Sequence, residues 1–190
     1  MNTWDEVKKH INELIKIPRE YIYRGQADSR WKLQTSYHRL NLKNMKLYFK
    51  DLEKMKDRVE AWEGRYRNIE SDNLELASFV SVLQHNGYPT PLLDWTLSPY
   101  IAAYFAFAGT CDSNNESKKV SIYALSASSW LDDYKQNVDY TDSSPHVTLI
   151  KPMIKGNIKM ILQQSIFTFT NVSDIEGHLI QHGKAKGKTY

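Results

Sequence analysis

The chain has 190 residues, of which 41% are hydrophobic, so it is long enough to bury the core of one domain. Its formal net charge of +3 does not by itself indicate nucleic-acid binding, which needs a clustered basic face. The single cysteine, Cys111, excludes an internal disulfide and favours the cytoplasm as the location. The sequence predicts no signal peptide, no membrane span and no metal, because its N-terminus is charged, its apolar runs are short and its Cys and His lack metal-ligand spacing.

A helix and a short strand are predicted at the start of the chain. Thr3 and Glu6 have the spacing of a capping box, and the apolar residues that follow have helical spacing until Pro18. The aromatic run at residues 21–24 predicts a strand. A helical turn is expected at residues 36–40.

A long amphipathic helix is predicted at about residues 43–70. Its apolar residues alternate spacings of three and four, and charged residues fill the positions between them. The apolar residues are Met45, Tyr48, Leu52, Met55, Val59, Trp62, Tyr66 and Ile69. Such a seam indicates either pairing with another chain, as in a homodimer, or packing on the helix's own domain. Aromatic and Met residues in the seam favour the second interpretation.

Strands are predicted mainly in the second half of the chain. Residues 76–83 and the segment that begins at Ser98 have helical signals. Residues 120–125 and 165–172 alternate apolar and polar side chains, which predicts two strands. A further strand is expected at residues 177–182.

The order of these elements predicts the fold class and the domain organisation. Helices cluster in the first half and strands in the second, which is typical of an α+β fold. We expect one domain over residues 1–182, including the long helix. The tail, residues 183–190, is basic and is expected to be flexible.

The run QHNGYPTPLLDWTLSPYIAAYFAF, residues 84–107, combines turn residues and polar side chains with the start of an apolar helix. Ser98 has the right side chain for the N-cap of that helix. Asp94, Trp95 and Thr96 are therefore expected in a loop that leads into a helix N-terminus, which attracts phosphate or another anion. The alternative is a purely structural cap beside a buried Trp.

Separate blocks of sequence make the chain resemble the FRG domain family. YRGQ at residues 23–26 and Arg39 match the family's aromatic-R-G-Q block and the Arg that follows it. Residues 84–99 match a block resembling Q-H-x-G-x-P-T-x-L-L-D-W-T-x-S-P, and residues 163–167 match a late Q-Q-x-x-F. The resemblance covers roughly residues 3–170.

The FRG family is distantly similar to the ADP-ribosyltransferase fold. The resemblance implies a helical N-terminal half packed on a mostly antiparallel, split sheet, with NAD as co-substrate. Roles in cofactor binding are implied for Arg24, Gly25, Gln26, Arg39, Thr90, Trp95, Thr96 and Ser98. Catalytic roles are implied for Asp94, His85 and Gln163.

The chemistry of these side chains leaves two interpretations at several positions. Arg24 offers a planar fork that binds phosphate in a bidentate manner. Asp94 either stabilises positive charge on a ribose or pairs with Arg24 or Arg39 and holds the fold. His85 is either a general base or a cap of the preceding helix. The aromatic rings near these residues, Trp31 among them, either stack on a nucleotide or belong to the core.

Two hypotheses for the function follow. The first is an NAD-using ADP-ribosyltransferase or NAD glycohydrolase, a toxin or defence effector that modifies a protein or nucleic-acid acceptor. The second is a non-catalytic module that binds a nucleotide, a nucleic acid or a protein partner, because glutamine rather than an acid stands near the third motif position. In either case the polar motif residues should converge on one concave site. They are Arg24, Arg39, His85, Asp94 and Gln163.

Overall fold

A computed structural model describes residues 4–16, 20–64, 66–69, 73–108, 119–137, 142–151 and 164–190 of the protein. The helices in these ranges are α1 (Trp4–Leu14), α2 (Ser36–Arg39), α3 (Met45–Glu63), α4 (Asn73–His85), α5 (Pro99–Ala108), α6 (Ala127–Asp133) and α7 (Ile175–Lys186). The strands are β1 (Tyr21–Gln26), β2 (Leu92–Thr96), β3 (Ser121–Ser126), β4 (Val147–Ile150) and β5 (Ser165–Thr170).

The strands form one sheet in the order β3-β1-β2-β5-β4, and every neighbouring pair is antiparallel. Helices pack on this sheet, which confirms the predicted α+β fold. The pairing of β1 with β3 spans six residue pairs, whereas β1 meets β2 at the single pair Tyr23–Thr96. The sheet is therefore split between β1 and β2.

Two hydrophobic clusters cover the two faces of the sheet, because successive residues of a strand point to opposite faces. Leu92 lies in the cluster that β2 and β5 form with α3 and α4. Leu93 and Trp95 lie in the cluster that the sheet forms with α6 and α7. Asp94 alternates with these two residues, so it lies on the α4 side of β2.

Helix α3 packs mainly on its own domain. It follows the N-cap residue Asn44 and ends at Gly64, which has a left-handed φ of 64°. The predicted continuation to residue 70 is therefore wrong. Tyr48 and Leu52 of the apolar seam are buried in the core, whereas Trp62 at the end of the helix is 74% exposed.

The segment at residues 177–182 is helical, so the predicted strand there is wrong. The side chain of Asp174 caps α7 by accepting a hydrogen bond from the Gly177 N–H, 3.1 Å away. Ile175 in the first turn is fully buried. The cap and this apolar anchor start a helix that runs through the segment.

The last residues, for which the sequence predicts a flexible tail, contact α6. Helix α7 extends to Lys186, and Gly187 ends it in the left-handed conformation. Lys188 forms a salt bridge of 2.6 Å with Asp133. The ring of Tyr190 contacts the Trp130 ring edge-on at a centroid distance of 5.0 Å.

Three polar motif residues lie on a strand rather than in the expected loop. Asp94, Trp95 and Thr96 belong to β2. Ser98 begins α5 as predicted, since its Oγ accepts a hydrogen bond from the Ile101 N–H at 3.4 Å.

Some predictions concern residues that the structure does not describe. Thr3 of the capping box, Pro18 and Cys111 lie outside the described ranges. None of the helices within those ranges is both long and apolar enough to cross a membrane.

Candidate functional site

A cleft of about 1090 Å³ opens where β1 and β2 separate. Its walls come from β1 and the segment that follows it, the end of α4, and β2. Single residues of α2, α5 and β5 complete the lining: Arg39, Ala102, Phe105, Ser165 and Phe167. The single pair that joins the two strands, Tyr23–Thr96, also lies in the lining. The split in the sheet is thus what creates the cavity.

Arg24 holds the two separated strands together at the cleft. Its Nη1 donates a hydrogen bond of 2.7 Å to the backbone oxygen of Asp94 and lies 4.0 Å from Asp94 Oδ2. The side chain is only 18% exposed, and burial lowers the pKa of the guanidinium. Its Nε has no hydrogen-bond partner among the described residues, which leaves one donor of this cation unused.

Asp94 lies in the cleft with part of its side chain in contact with solvent. The side chain is 59% exposed toward the cavity, while protein surrounds the carboxyl group on its other sides. That surrounding protein raises the pKa of Asp94, and the nearby Arg24 opposes the shift. Gln84 Nε2 donates a hydrogen bond of 2.6 Å to Asp94 Oδ1, which orients the carboxylate.

Thr90 supports this arrangement from behind the cleft. It is fully buried and does not belong to the lining, so direct cofactor binding by Thr90 is not supported. Its Oγ1 donates a hydrogen bond to Gln84 Oε1, which leaves Gln84 Nε2 to face Asp94. The Ser36 Oγ accepts a hydrogen bond of 2.9 Å from the Thr90 N–H and so fixes Thr90 to α2.

Basic side chains surround the single carboxylate. Arg24, Arg30, Lys32 and Arg39 line the cleft, and Asp94 is the acidic residue in the lining within the described ranges. Both Lys32 and Arg39 are exposed and have no salt bridge to any described carboxylate. The cleft therefore carries a net positive charge and suits an anionic ligand.

Gly25 and Gln26 also lie in the lining, but Gly25 has a clear packing role. A Cβ at Gly25 would lie 1.9 Å from the backbone oxygen of Ala102, so α5 can pack on β1 only where this side chain is absent. Gln26 is buried, and its Nε2 donates a hydrogen bond of 3.4 Å to the Lys32 carbonyl oxygen. That contact ties β1 to the segment that follows it.

The aromatic residues of the cleft divide into core and surface. Trp95 is buried and donates a hydrogen bond of 3.0 Å from Nε1 to Thr168 Oγ1, so it belongs to the core. Tyr23 is also buried. Trp31 and Phe105 line the cleft and remain exposed.

Most of the residues predicted for the site thus come together. Arg24, Arg39, His85 and Asp94 line one cleft, with His85 exposed at the C-terminal end of α4. Gln163 lies outside the described residues. Ser98 is not in the lining and serves as the N-cap of α5.

Gln84 belongs to the site but was not among the predicted site residues. Its position directly before His85 in the central motif is the sequence signal that could have identified it. Its contact with Asp94 spans ten residues and depends on how α4 ends beside β2.

No match was found among curated proteins or among solved structures. A family model described as the FRG domain matches residues 19–115, which is about half of the chain. The matched range contains β1, α4, β2 and α5, and these elements build most of the cleft, to which β5 adds Ser165 and Phe167. The chain therefore belongs to the FRG domain family.

Proposed function

We propose that the cleft binds NAD and that the protein is an ADP-ribosyltransferase or an NAD glycohydrolase. The observation that carries the proposal is the meeting of Arg24 and Asp94, 70 positions apart in the chain, in one basic cleft. The cleft volume of about 1090 Å³ lies just above the usual range for small-molecule sites, about 300–1,000 Å³. The cavity is therefore large enough for an extended ligand such as a dinucleotide.

The charges of the lining match the groups of such a ligand. Arg24 and Arg39 can donate charge-assisted hydrogen bonds to phosphate oxygens, and Arg24 Nε is a buried donor with no partner among the described residues. Asp94 accepts a hydrogen bond from Gln84 through Oδ1, and its other oxygen remains 4.0 Å from the Arg24 cation. A ribose hydroxyl in the cleft would find this second oxygen as its acceptor.

The reaction breaks the bond between ribose C1′ and the nicotinamide nitrogen, and the bonding electron pair leaves with nicotinamide. Positive charge builds up on the ribose, so a carboxylate held near it stabilises the transition state. Asp94 is the described carboxylate of the lining that can do this. Water or an acceptor group then adds to C1′, and we assign to His85, a residue of the lining, the role of taking the proton that is released.

Calorimetry with NAD and ADP-ribose, followed by a nicotinamide-release assay, tests the proposal. We expect Arg39→Ala to weaken binding by about tenfold to a hundredfold, because one charge-assisted hydrogen bond is lost. Asp94→Asn should retain binding and reduce turnover by about 10²- to 10³-fold. Arg58→Ala, an exposed substitution on α3 outside the cleft lining, is the matched control and should change neither quantity.

The outcomes separate the two classes of function. Absence of NAD and ADP-ribose binding would refute the proposal. Binding without turnover, tested with water and with protein or nucleic-acid acceptors, would identify the chain as a nucleotide-binding module. Growth arrest on expression of the wild-type chain but not of Asp94→Asn would support the role of a toxin or defence effector.

A further inference from the structure

We infer that Trp31 forms a stacking subsite for a nucleobase at the mouth of the cleft. The inference deepens the proposed function and rests on it, because it names which part of a nucleotide ligand this side chain contacts. Trp31 is 57% exposed, although it lines the cavity together with the polar residues described above. Phe105 of α5 is a second exposed ring of the lining, 44% exposed.

The turn that carries Trp31 is held in place by a largely buried carboxylate. Asp28 Oδ1 accepts hydrogen bonds of 2.9 Å from the backbone N–H and from the Nε of Arg30, and Oδ2 accepts one of 2.6 Å from Arg30 Nη2. The backbone oxygen of Asp28 accepts a hydrogen bond of 3.1 Å from the Trp31 N–H. Ser29 N–H donates a hydrogen bond of 2.8 Å to the Lys119 backbone oxygen, which ties the turn to the segment before β3.

Such a turn fixes the backbone of Trp31 before any ligand arrives. Only the two side-chain torsions then remain to be ordered, so little conformational entropy is lost on binding and more of the stacking energy appears as affinity. Core packing does not require this arrangement, because Trp31 is one of the exposed large hydrophobic residues. A flat group of a ligand in the cleft could stack on the exposed indole.

The charges beside Trp31 indicate which flat group it takes. Lys32 follows it in sequence, and Lys32 and Arg39 have no salt bridge to a described carboxylate. Arg30 is paired with Asp28, so its charge is largely compensated. A ligand in which an aromatic ring is joined to a phosphate can stack on the indole and bind Lys32 and Arg39 at the same time. A nucleotide has this composition.

Binding measurements with Trp31→Ala, Trp31→Phe and Trp62→Ala test the inference. Trp62 is also exposed but lies at the end of α3, outside the cleft lining, so its substitution is the matched control. The probes are NAD, AMP, ribose 5-phosphate, which has no base, and a ten-nucleotide single-stranded DNA. Because Trp31 is exposed, its substitution should leave the melting temperature unchanged.

We expect Trp31→Ala to weaken the binding of NAD and AMP by about 5- to 150-fold, the range for loss of one stacked base. Trp31→Phe should restore most of the affinity, and ribose 5-phosphate should bind equally to all variants. If the oligonucleotide loses affinity and NAD does not, the stacked base belongs to an acceptor strand, and the subsite is still supported. NAD, AMP and oligonucleotide affinities that all survive Trp31→Ala would overturn the inference while leaving the proposed function intact. Failure of the wild-type protein to bind any of these probes would overturn both.

Discussion

Substitution of Gly25, in the family's aromatic-Arg-Gly block, tests whether this glycine is needed for packing or for contact with a ligand. The structure places α5 so close to β1 that a Cβ at this position would lie 1.9 Å from the Ala102 backbone oxygen and 2.7 Å from the Ala106 backbone nitrogen. Both neighbours are backbone atoms of a helix, so neither can rotate away. Substitution by Ala therefore requires a displacement of the whole helix.

The size of that displacement sets the expected cost of Gly25→Ala. Ordinary van der Waals contact begins at about 3.4 Å, so the oxygen at 1.9 Å must move by roughly 1.5 Å. The residues of α5 that face inward, Ala102, Ala103 and Ala106, are buried, so a shift of the helix disturbs contacts in the core. Overpacking of this kind costs about 3 kcal/mol or more. For a chain of this length, this corresponds to a decrease in melting temperature of about 6–12 °C.

Thermal and urea unfolding of Gly25→Ala beside Gly64→Ala provide the measurement. Gly64 has a φ of 64°, and no atom of the described residues lies within 4 Å of an added Cβ, so its substitution should cost only about 1 kcal/mol from backbone strain. We expect Gly25→Ala to be the more damaging change by about 2 kcal/mol. Equal melting temperatures for the two variants would contradict the packing explanation of this motif.

Two further predictions concern charge and packing. The pKa of Asp94 is raised in the folded protein, so its ionisation lowers stability as the pH rises from the unfolded value through the folded one. Asp94→Asn should therefore stabilise the protein at pH 7 and raise its melting temperature relative to wild type. The gain in the free energy of unfolding should be less than about 1 kcal/mol, because the side chain is 59% exposed. The difference should vanish below about pH 3, and a lower melting temperature of Asp94→Asn at pH 7 would contradict this. In α3, Leu52→Ala should cost about 2–5 kcal/mol and Trp62→Ala less than about 0.5 kcal/mol in urea unfolding, whereas similar costs would contradict the packing of the seam on its own domain.

Elements with strong local signals were predicted correctly from the sequence. Helix α5 has its N-cap at Ser98, and apolar and polar side chains alternate along β5. Both elements could therefore be predicted from local sequence, without knowledge of tertiary contacts. β4 was not predicted, because four residues are too few to establish a period. The strand predicted at residues 177–182 is wrong, because the cap at Asp174 and the buried Ile175, which lie just before the segment, start a helix there.

The candidate site was predictable as a set of motif residues, but not in its internal arrangement. Family resemblance identified Arg24 and Asp94, and both lie in the cleft. It could not separate Thr90, which is buried behind the cleft, from Gln84, which reaches Asp94. That distinction depends on the contact between Thr90 and Ser36 of α2, 54 positions away in the chain.

The hydrogen-bonded series from Thr90 through Gln84 to Asp94 supports a last prediction. Thr90 Oγ1 donates to Gln84 Oε1, so Thr90→Val removes the group that orients the amide, at a cost of about 1–3 kcal/mol for the buried polar partners left unsatisfied. The hydrogen bond from Gln84 favours the ionised form of Asp94 and lowers its pKa against the effect of burial. Weakening that bond should therefore move the pKa of Asp94 further upward.

Titration of the aspartate side-chain carbons by NMR, with Asp94→Asn to assign the signal, measures this shift without assuming any activity. Thr90→Ser keeps the hydroxyl and is the matched control, so its titration should follow that of the wild type. An Asp94 midpoint that is the same in Thr90→Val, Thr90→Ser and wild type would show that Thr90 only packs. A higher midpoint in Thr90→Val alone would mean that a buried threonine outside the cleft sets the charge state of the carboxylate inside it. This result would explain why the chain carries Gln84 and Thr90 together with Asp94 in one motif.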